Sequence, residues 1–369
     1  MVSLIEKLRK ATTVSSAEVL TNSVLVQEKD IVTTPVPGLN IALSGSPTGG
    51  LTPGVTIFAG PSRHFKSLYS LICAASYLKK HKDSVVLFYD NEFGSPVSYF
   101  RSVGIDPSRV LHTPITNWEE LIHDASVQLE GLSRGDRVVI VIDSIGNLAS
   151  KKEIEDALAG KETADLTRAK RAKSFFRIVT PHLTMKDIPM LCVAHTYETL
   201  EMFSKKTVSG GTGPFYAADS IFIIGREQDK EGTGAKANLE GYKFKINVEK
   251  SRFVREKSTI PITVKFDGGI QRWSGLFDIA ISMGLIKKVD GTKSDHIVVG
   301  HEEFGQFKRA SKEDDSTFWK QIMGTTNFVA AVEEHFKVST SELISDDEIA
   351  DDANTADDDV TEADNAGEQ

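Results

Sequence analysis

The chain has 369 residues, 40% of them hydrophobic and 26% charged, with a net charge of −9. That composition excludes collagen-like and wholly disordered chains, and no apolar run approaches the roughly 18 residues that span a bilayer. The charge is unevenly placed: residues 342–369 hold 12 Asp and Glu and no Lys or Arg, leaving 43 basic against 40 acidic residues, a net +3, for residues 1–341.

The opening MVSLIEKLRKATTVSS lacks the apolar stretch of a signal peptide. Within it, residues 1–10 read as a short amphipathic helix, with Leu4, Ile5 and Leu8 opposite Glu6, Lys7, Arg9 and Lys10. A helix this short is marginal alone in water, so it is expected to dock on its own body or on a neighbour. A polar, Ser- and Thr-rich segment follows to about Asp30.

From Val55 the chain alternates between strand and helix. Val55–Ala59, Val85–Tyr89, Val138–Ile142, Leu191–Ala194 and Ser220–Ile224 are apolar runs of strand length. Lys66–Lys79 reads as a helix that buries Leu68, Leu71, Ile72 and Ala75. Apolar strands separated by helical segments predict an α/β fold, a mostly parallel sheet covered on both faces. Tyr242–Val248 and Ile260–Phe266 read as an antiparallel hairpin at the sheet edge. After a turn at Asp267–Gly269, a helix is expected over Ser274–Met283, and short strands and helices over 285–337. The expected organisation is an N-terminal element (1–32), a core (33–270), a small α/β C-terminal domain (271–341) and a disordered acidic tail (342–369). The tail is too charged to bury a core. It either keeps the protein soluble or competes with a polyanion for the basic body. Cys73 and Cys192 lie in separate apolar runs and read as reduced core residues of an intracellular protein.

The first core strand runs into Gly60-Pro61-Ser62-Arg63-His64-Phe65-Lys66-Ser67, and a helix follows. This is the context of a phosphate-binding loop. Its N–H groups and the helix dipole would cradle phosphate oxygens. Lys66 would neutralise the β- and γ-phosphates, and Ser67 would take a Mg²⁺ position. Phe65 replaces the second glycine of the pattern. A left-handed backbone there would cost roughly 1–2 kcal/mol; a negative φ would avoid that.

Two acids raise the case for nucleoside triphosphate hydrolysis. Asp143 ends a buried strand, where a Mg²⁺-organising carboxylate belongs. Glu92 follows another strand and is a candidate general base for an attacking water. His195 follows a fourth strand and reads as a γ-phosphate sensor. All lie at the carboxyl ends of strands, where open α/β sheets place ligands.

Two segments leave the same edge. Residues 146–165 carry Lys151, Lys152 and Lys161, and Arg168, Lys170, Arg171, Lys173 and Arg177 follow. Residues 196–216 read as a long loop with Tyr197, Leu200, Met202, Phe203, Lys205, Lys206 and Gly210-Gly211-Thr212-Gly213. Cations, apolar or aromatic side chains and glycine N–H groups together suit a nucleic acid strand.

The ordered set GPSRHFKS, YDNEFG, VIVIDSIGNLASKKE, VAHTYETLEMFSK, GGTGP and NVEKSR resembles the RecA family of homologous-recombination strand-exchange proteins. The resemblance runs over about residues 1–285 and more faintly to 340. Phe65 fits the branch found in large tailed phages. The resemblance implies a RecA-like ATPase core using ATP and Mg²⁺. It implies an ATP-dependent recombinase that forms helical filaments on single-stranded DNA and pairs it with homologous duplex. ATP would lie between subunits, and hydrolysis would be stimulated by the strand. It gives Lys66 and Ser67 the phosphate and Mg²⁺ roles, Glu92 that of the base and Asp143 that of the second acidic Mg²⁺ position. Tyr99 would stack on adenine, and His195 would couple the γ-phosphate to the second loop. Lys250 and Arg252 would reach into the neighbouring subunit's ATP. Arg168, Tyr197, Leu200, Phe203, Lys205, Lys206 and Gly210–Gly213 would contact DNA. A single-strand-binding protein and a loader are implied partners, and the cytoplasm of an infected host cell the location. Two other readings stand beside this one: a RecA-fold replicative helicase, and a mediator that hydrolyses nothing, for which Phe65 is the support.

Overall fold

The computed structural model describes residues 3–26, 29–161, 167–198, 206–209, 211–231 and 238–338. The acidic tail expected from residue 342 lies outside them. The chain begins with α1 (Leu4–Ala11) and α2 (Pro37–Ser44). Ser3 caps α1 by accepting the Glu6 N–H, and Leu4, Ile5 and Leu8 stay exposed. The apolar stripe expected there stays largely open, with Ile5 and Leu8 facing Ala17, Val19 and Leu20 across a small hollow. By contrast, every residue of α2 is buried.

The central run is β1 (Gly54–Ala59), α3 (Lys66–Lys80), β2 (Val85–Asp90), α4 (Val97–Ser102), β3 (Val110–Pro114), α5 (Trp118–Gly131), β4 (Val138–Asp143), α6 (Lys151–Leu158), α7 (Thr167–Lys186) and β5 (Pro189–Ala194). Then come β6 (Thr196–Glu198), β7 (Lys206–Val208), α8 (Thr212–Ala217), β8 (Ser220–Glu231), β9 (Asn238–Ser251), β10 (Thr259–Lys265) and β11 (Gly269–Ile270). The C-terminal part holds α9 (Leu276–Ser282), β12 (Ile286–Lys288), β13 (Asp295–Val298), β14 (Phe307–Lys308), α10 (Arg309–Lys312), α11 (Ser316–Thr325) and α12 (Phe328–Phe336).

Nine strands form one sheet in the order β11-β10-β9-β8-β1-β5-β4-β2-β3. The pairs from β8 through β3 are parallel, and those from β8 through β11 antiparallel. Strands β1, β4 and β5 are buried along their whole length, because alternate side chains enter two different cores. Phe58, Val139, Val141 and Leu191 pack on the side of Leu68, Leu71 and Ile72 from α3. Ile57, Ile140, Ile142 and Met190 pack on the side of Trp118 from α5 and Phe175, Phe176 and Val179 from α7. Cys73 belongs to the first core and Cys192 to the second; both are buried, free thiols.

The mostly parallel sheet follows the sequence expectation, with three additions. β3 lies at the far edge, where Val110–Pro114 is only partly covered and shows no continuous apolar run. The expected two-stranded hairpin is the outer part of a larger antiparallel unit, since β9 pairs with β8 as well as β10. Residues 196–216, expected as one loop, carry the paired strands β6 and β7 and then α8.

In the C-terminal part β12, β13 and β14 form a small sheet. Phe277, Phe307, Phe318, Trp319 and Phe328 pack largely edge to face in the core that also contains α2 and one face of α3. No helix among the described residues is long and apolar enough to cross a membrane.

Candidate active site

Strand register brings the chemistry together. Ala59 is level with Ala194, Asp90 with Asp143, and Asp143 with Val193. The segments after β1, β2, β4 and β5 therefore leave at one edge, carrying the Gly60–Ser67 loop, Glu92, Ser144 and His195.

The Gly60–Ser67 loop turns into α3 through Arg63 at φ 61° and Phe65 at φ 56°, both left-handed. The question raised by Phe65 thus resolves toward positive φ. Its ring packs edge-on against Phe244 of β9, centroids 4.8 Å apart. Such a pair contributes roughly 0.5–1.5 kcal/mol beyond area burial, comparable to the backbone cost. Lys66 is buried, and its Nζ donates to Pro61 O at 2.8 Å. Burial lowers its ammonium from the usual lysine value, and Glu92 and Asp143 offset part of that.

Ser67 Oγ donates to Asp143 Oδ2 at 2.6 Å. Asp143 is buried, and its Oδ1 has no hydrogen-bond partner. Burial, with Glu92 and Asp90 nearby, pushes its carboxyl up to about 6, although the Ser67 bond opposes this. A hydroxyl beside an orphaned carboxylate oxygen is an oxygen donor set that suits a hard divalent cation.

Glu92 stands across the cleft. Its turn is held by Asp90 Oδ1, which accepts the N–H of Glu92 at 3.1 Å and of Phe93 at 2.8 Å. Glu92 Oε1 accepts from Ser144 Oγ at 2.5 Å and Asn147 Nδ2 at 2.9 Å. His195 Nε2 lies 2.9 Å from the same oxygen. Burial pushes the Glu92 carboxyl up, but the bonds from Ser144 and His195 and the adjacent charges outweigh it and hold it below the usual glutamate range.

Lys66, Ser67, Glu92, Asp143 and His195 line a cleft of about 760 Å³ that also includes Ser62–Phe65, Gly94–Pro96, Ser98, Tyr99 and Ser102. That volume suits a small-molecule ligand. Tyr99 is half-buried, and burial, with Asp143 nearby, pushes its hydroxyl up to about 12. A larger hollow of about 910 Å³, beside Ile31–Pro35 and the end of α3, contains none of these groups.

The remaining candidates lie elsewhere. Lys250 Nζ donates to Phe215 O at 2.7 Å and sits over the Phe215 ring; Arg252 pairs with Asp219 at 3.0 Å. Neither lines the cleft of its own chain. Arg168 Nη2 donates to Gly146 O at 2.6 Å, at the base of the first loop. Tyr197 is half-exposed on β6, and Lys206 begins β7. Gly211 precedes α8, Thr212 opens it, and Gly213 is buried. A Cβ on Gly213 would stand 2.7 Å from Lys173 Cα, so close packing of α8 on α7 accounts for a glycine there. Leu200, Phe203, Lys205 and Gly210 lie outside the described residues.

Sequence reasoning did not single out Asn91, Ser144, Asn147 or the Gly94–Ser98 wall of the cleft. Asn91 Oδ1 accepts the Ser144 N–H at 2.5 Å, joining β2 to β4 across the edge. Asn91 and Ser144 each flank an acid already identified, which is the one signal that pointed to them; Asn147, between Gly146 and Leu148, carries no such mark.

No family model matches the chain. It is 47% identical over 345 residues to the "Recombination and repair protein" of Enterobacteria phage T4, covering 92% of this chain and 87% of that protein. It is 26% identical over 300 residues to the Protein RecA of Cytophaga hutchinsonii, covering 78% and 80% of the two chains. The Protein RecA of Chloroherpeton thalassium is 24% identical over 303 residues, 80% of each chain.

Proposed function

The chain belongs to the RecA family of recombination proteins, and from that premise we propose that it is an ATPase stimulated by single-stranded DNA. It polymerises on the strand as a helical filament, with ATP between subunits, and pairs the strand with homologous duplex. The observation that carries the reading is the convergence of Lys66, Ser67, Asp143 and Glu92 on one cleft.

In this reading the Gly60–Ser67 N–H groups and the start of α3 receive the phosphates. Lys66 leaves Pro61 O to meet them. Ser67 and Asp143 would hold Mg²⁺, which would supply charge neutralisation of the phosphates. Glu92 accepts the proton of the attacking water, and Tyr99 stacks on the base. His195 senses the γ-phosphate and passes its state to the β6–β7 segment. Lys250 and Arg252 serve the neighbouring subunit's nucleotide, which fits their place away from their own cleft. An open head-to-tail contact of this kind builds a filament. Tyr197, Leu200, Phe203, Lys205, Lys206 and the Gly210–Gly213 stretch contact the strand, with Arg168 at the base of the first loop.

Residues 1–32 act as the arm that docks on the adjacent subunit, 33–270 as the ATPase and DNA-binding core, and 271–341 as a small C-terminal domain. The tail from 342 competes with DNA for the basic body. A single-strand-binding protein and a loader act with it in the infected cell's cytoplasm.

The test is ATP hydrolysis with and without single-stranded DNA, with negative-stain microscopy of the same samples. Strand-stimulated turnover with helical filaments is the expected result. Closed rings would favour a helicase, and nucleotide binding without turnover a mediator.

A further inference from the structure

The two loops at the active-site edge cross at one point. Gly146 lies on the first, and Ser209 follows β7 at the end of the second segment. A Cβ on Gly146 would stand 2.6 Å from Ser209 Oγ and 3.1 Å from His195 N, so only glycine allows the crossing as it stands. Ser209 N donates to His195 O at 2.9 Å. From the other side, Arg168 at the start of α7 is tied to Gly146 O at 2.6 Å. The residue after Gly146 is Asn147, whose amide reaches Glu92.

Glu92 Oε1 therefore faces three donors: Ser144, Asn147 and His195. A carboxylate oxygen has about two lone-pair sites, so this one is saturated and the direction of the carboxylate is set by its donors. His195 Nε2 also lies 3.4 Å from the Asn147 amide nitrogen. With its N–H given to Glu92, His195 offers that nitrogen nothing to bond, so the Asn147 amide serves the carboxylate alone. The three donors differ in freedom. Ser144 is buried, and its N–H is tied to Asn91. His195 is tied through its carbonyl to Ser209. Asn147 is exposed, and it follows Gly146, whose carbonyl Arg168 holds.

We propose that Asn147 is a positioning residue: it holds Glu92 turned toward Ser144 and His195 in the strand-free protein, and releases it when a nucleic acid strand draws Arg168 away from Gly146 O. The proposal rests on the ATPase reading above and gives that activity its coupling to the strand. Once released, Glu92 can meet the attacking water. The water oxygen bonds to the γ-phosphorus, and the bond from phosphorus to the β,γ-bridging oxygen breaks, its electron pair leaving with the nucleoside diphosphate. The water's proton passes to Glu92 and then to solvent.

The test compares Asn147→Ala with the unaltered full-length chain in steady-state ATP turnover, without strand and at saturating oligothymidylate. Turnover without strand should rise on the order of tenfold or more, as expected from losing one hydrogen bond to a charged group. Turnover at saturating strand should change little, so the stimulation ratio falls. Asn147→Gln keeps the amide donor and should recover most of the ratio. Arg168→Gln cuts the tether to Gly146 and should also raise strand-free turnover; it serves as the second measurement if Asn147→Ala does not fold. Strand-free turnover that is unchanged or lower in both variants, with the ratio intact, overturns the proposal. If the unaltered chain hydrolyses no ATP at all, the ATPase reading fails, and this inference fails with it.

Discussion

Replacing Asp143 by Asn isolates the energetic cost of the active site. Asp143 is buried, one of its oxygens has no hydrogen bond, and its carboxyl is raised from 3.8 to about 6. The folded protein therefore holds this proton more tightly than the unfolded chain does. Stability falls as pH rises between the unfolded and folded values, and the penalty is complete above about pH 6. A rise of that size corresponds to about 3 kcal/mol. Asn carries no charge, so Asp143→Asn escapes the penalty. An amide also exchanges an orphaned oxygen for an N–H, which adds a contribution of either sign that does not depend on pH. The diagnostic quantity is thus the change in the stability gap, variant minus original, as pH rises. It should grow by about 3 kcal/mol between roughly pH 3.5 and 7, in nucleotide-free, Mg²⁺-free urea unfolding. For a body of this size the same energy moves the thermal midpoint by roughly 4 °C. A gap that stays flat across this range would refute the claim that Asp143 is destabilised by desolvation.

Three other perturbations test the proposed roles. Glu92→Ala should keep ATP-dependent filament formation on single-stranded DNA and abolish turnover; loss of strand binding would show that Glu92 is structural. Phe65→Ala keeps the left-handed backbone cost but loses the ring contact with Phe244, whereas Phe65→Gly loses both. Alanine should therefore weaken ATP binding more than glycine, read by nucleotide titration, and the reverse order would remove the packing argument. Truncation after Ser341 removes 12 acidic residues from a chain whose remainder is +3, and it should tighten strand binding at low salt, an effect that fades at high salt. Equal affinity at low salt would leave the tail no role in DNA competition.

What the sequence revealed follows from where signals are local. The buried strands β1, β4 and β5 are unbroken apolar runs, so they are visible residue by residue. Lys66, Ser67, Glu92, Asp143 and His195 were legible because each follows or ends such a run. β3 was hidden because an edge strand needs no continuous apolar run, and α2 because a wholly buried helix shows no polar face. β6 and β7 escaped because pairing of Tyr197 with Thr207 leaves no mark on local composition. The site was incomplete for the same reason. Asn147 reaches Glu92 from 55 residues away, a relation only the level strand ends create. The sign of φ at Phe65 depended on Phe244, a partner far along the chain.

The active-site edge gathers features that each work against folding. Arg63, Phe65 and Phe93 have left-handed backbones around the cleft. Lys66 is desolvated, and Asp143 is desolvated with an orphaned oxygen. Elsewhere among the described residues the large buried side chains sit in two continuous cores on opposite faces of the sheet. Those cores allow the edge to stay unsatisfied without unfolding. A bound cation would give Asp143 Oδ1 a partner, and phosphate would set an opposite charge beside the desolvated Lys66, so ligand binding relieves both costs. The same logic places Asn147 on an exposed loop rather than in the core. A donor that must let go of Glu92 has to be held by contacts weak enough for an arriving strand to displace.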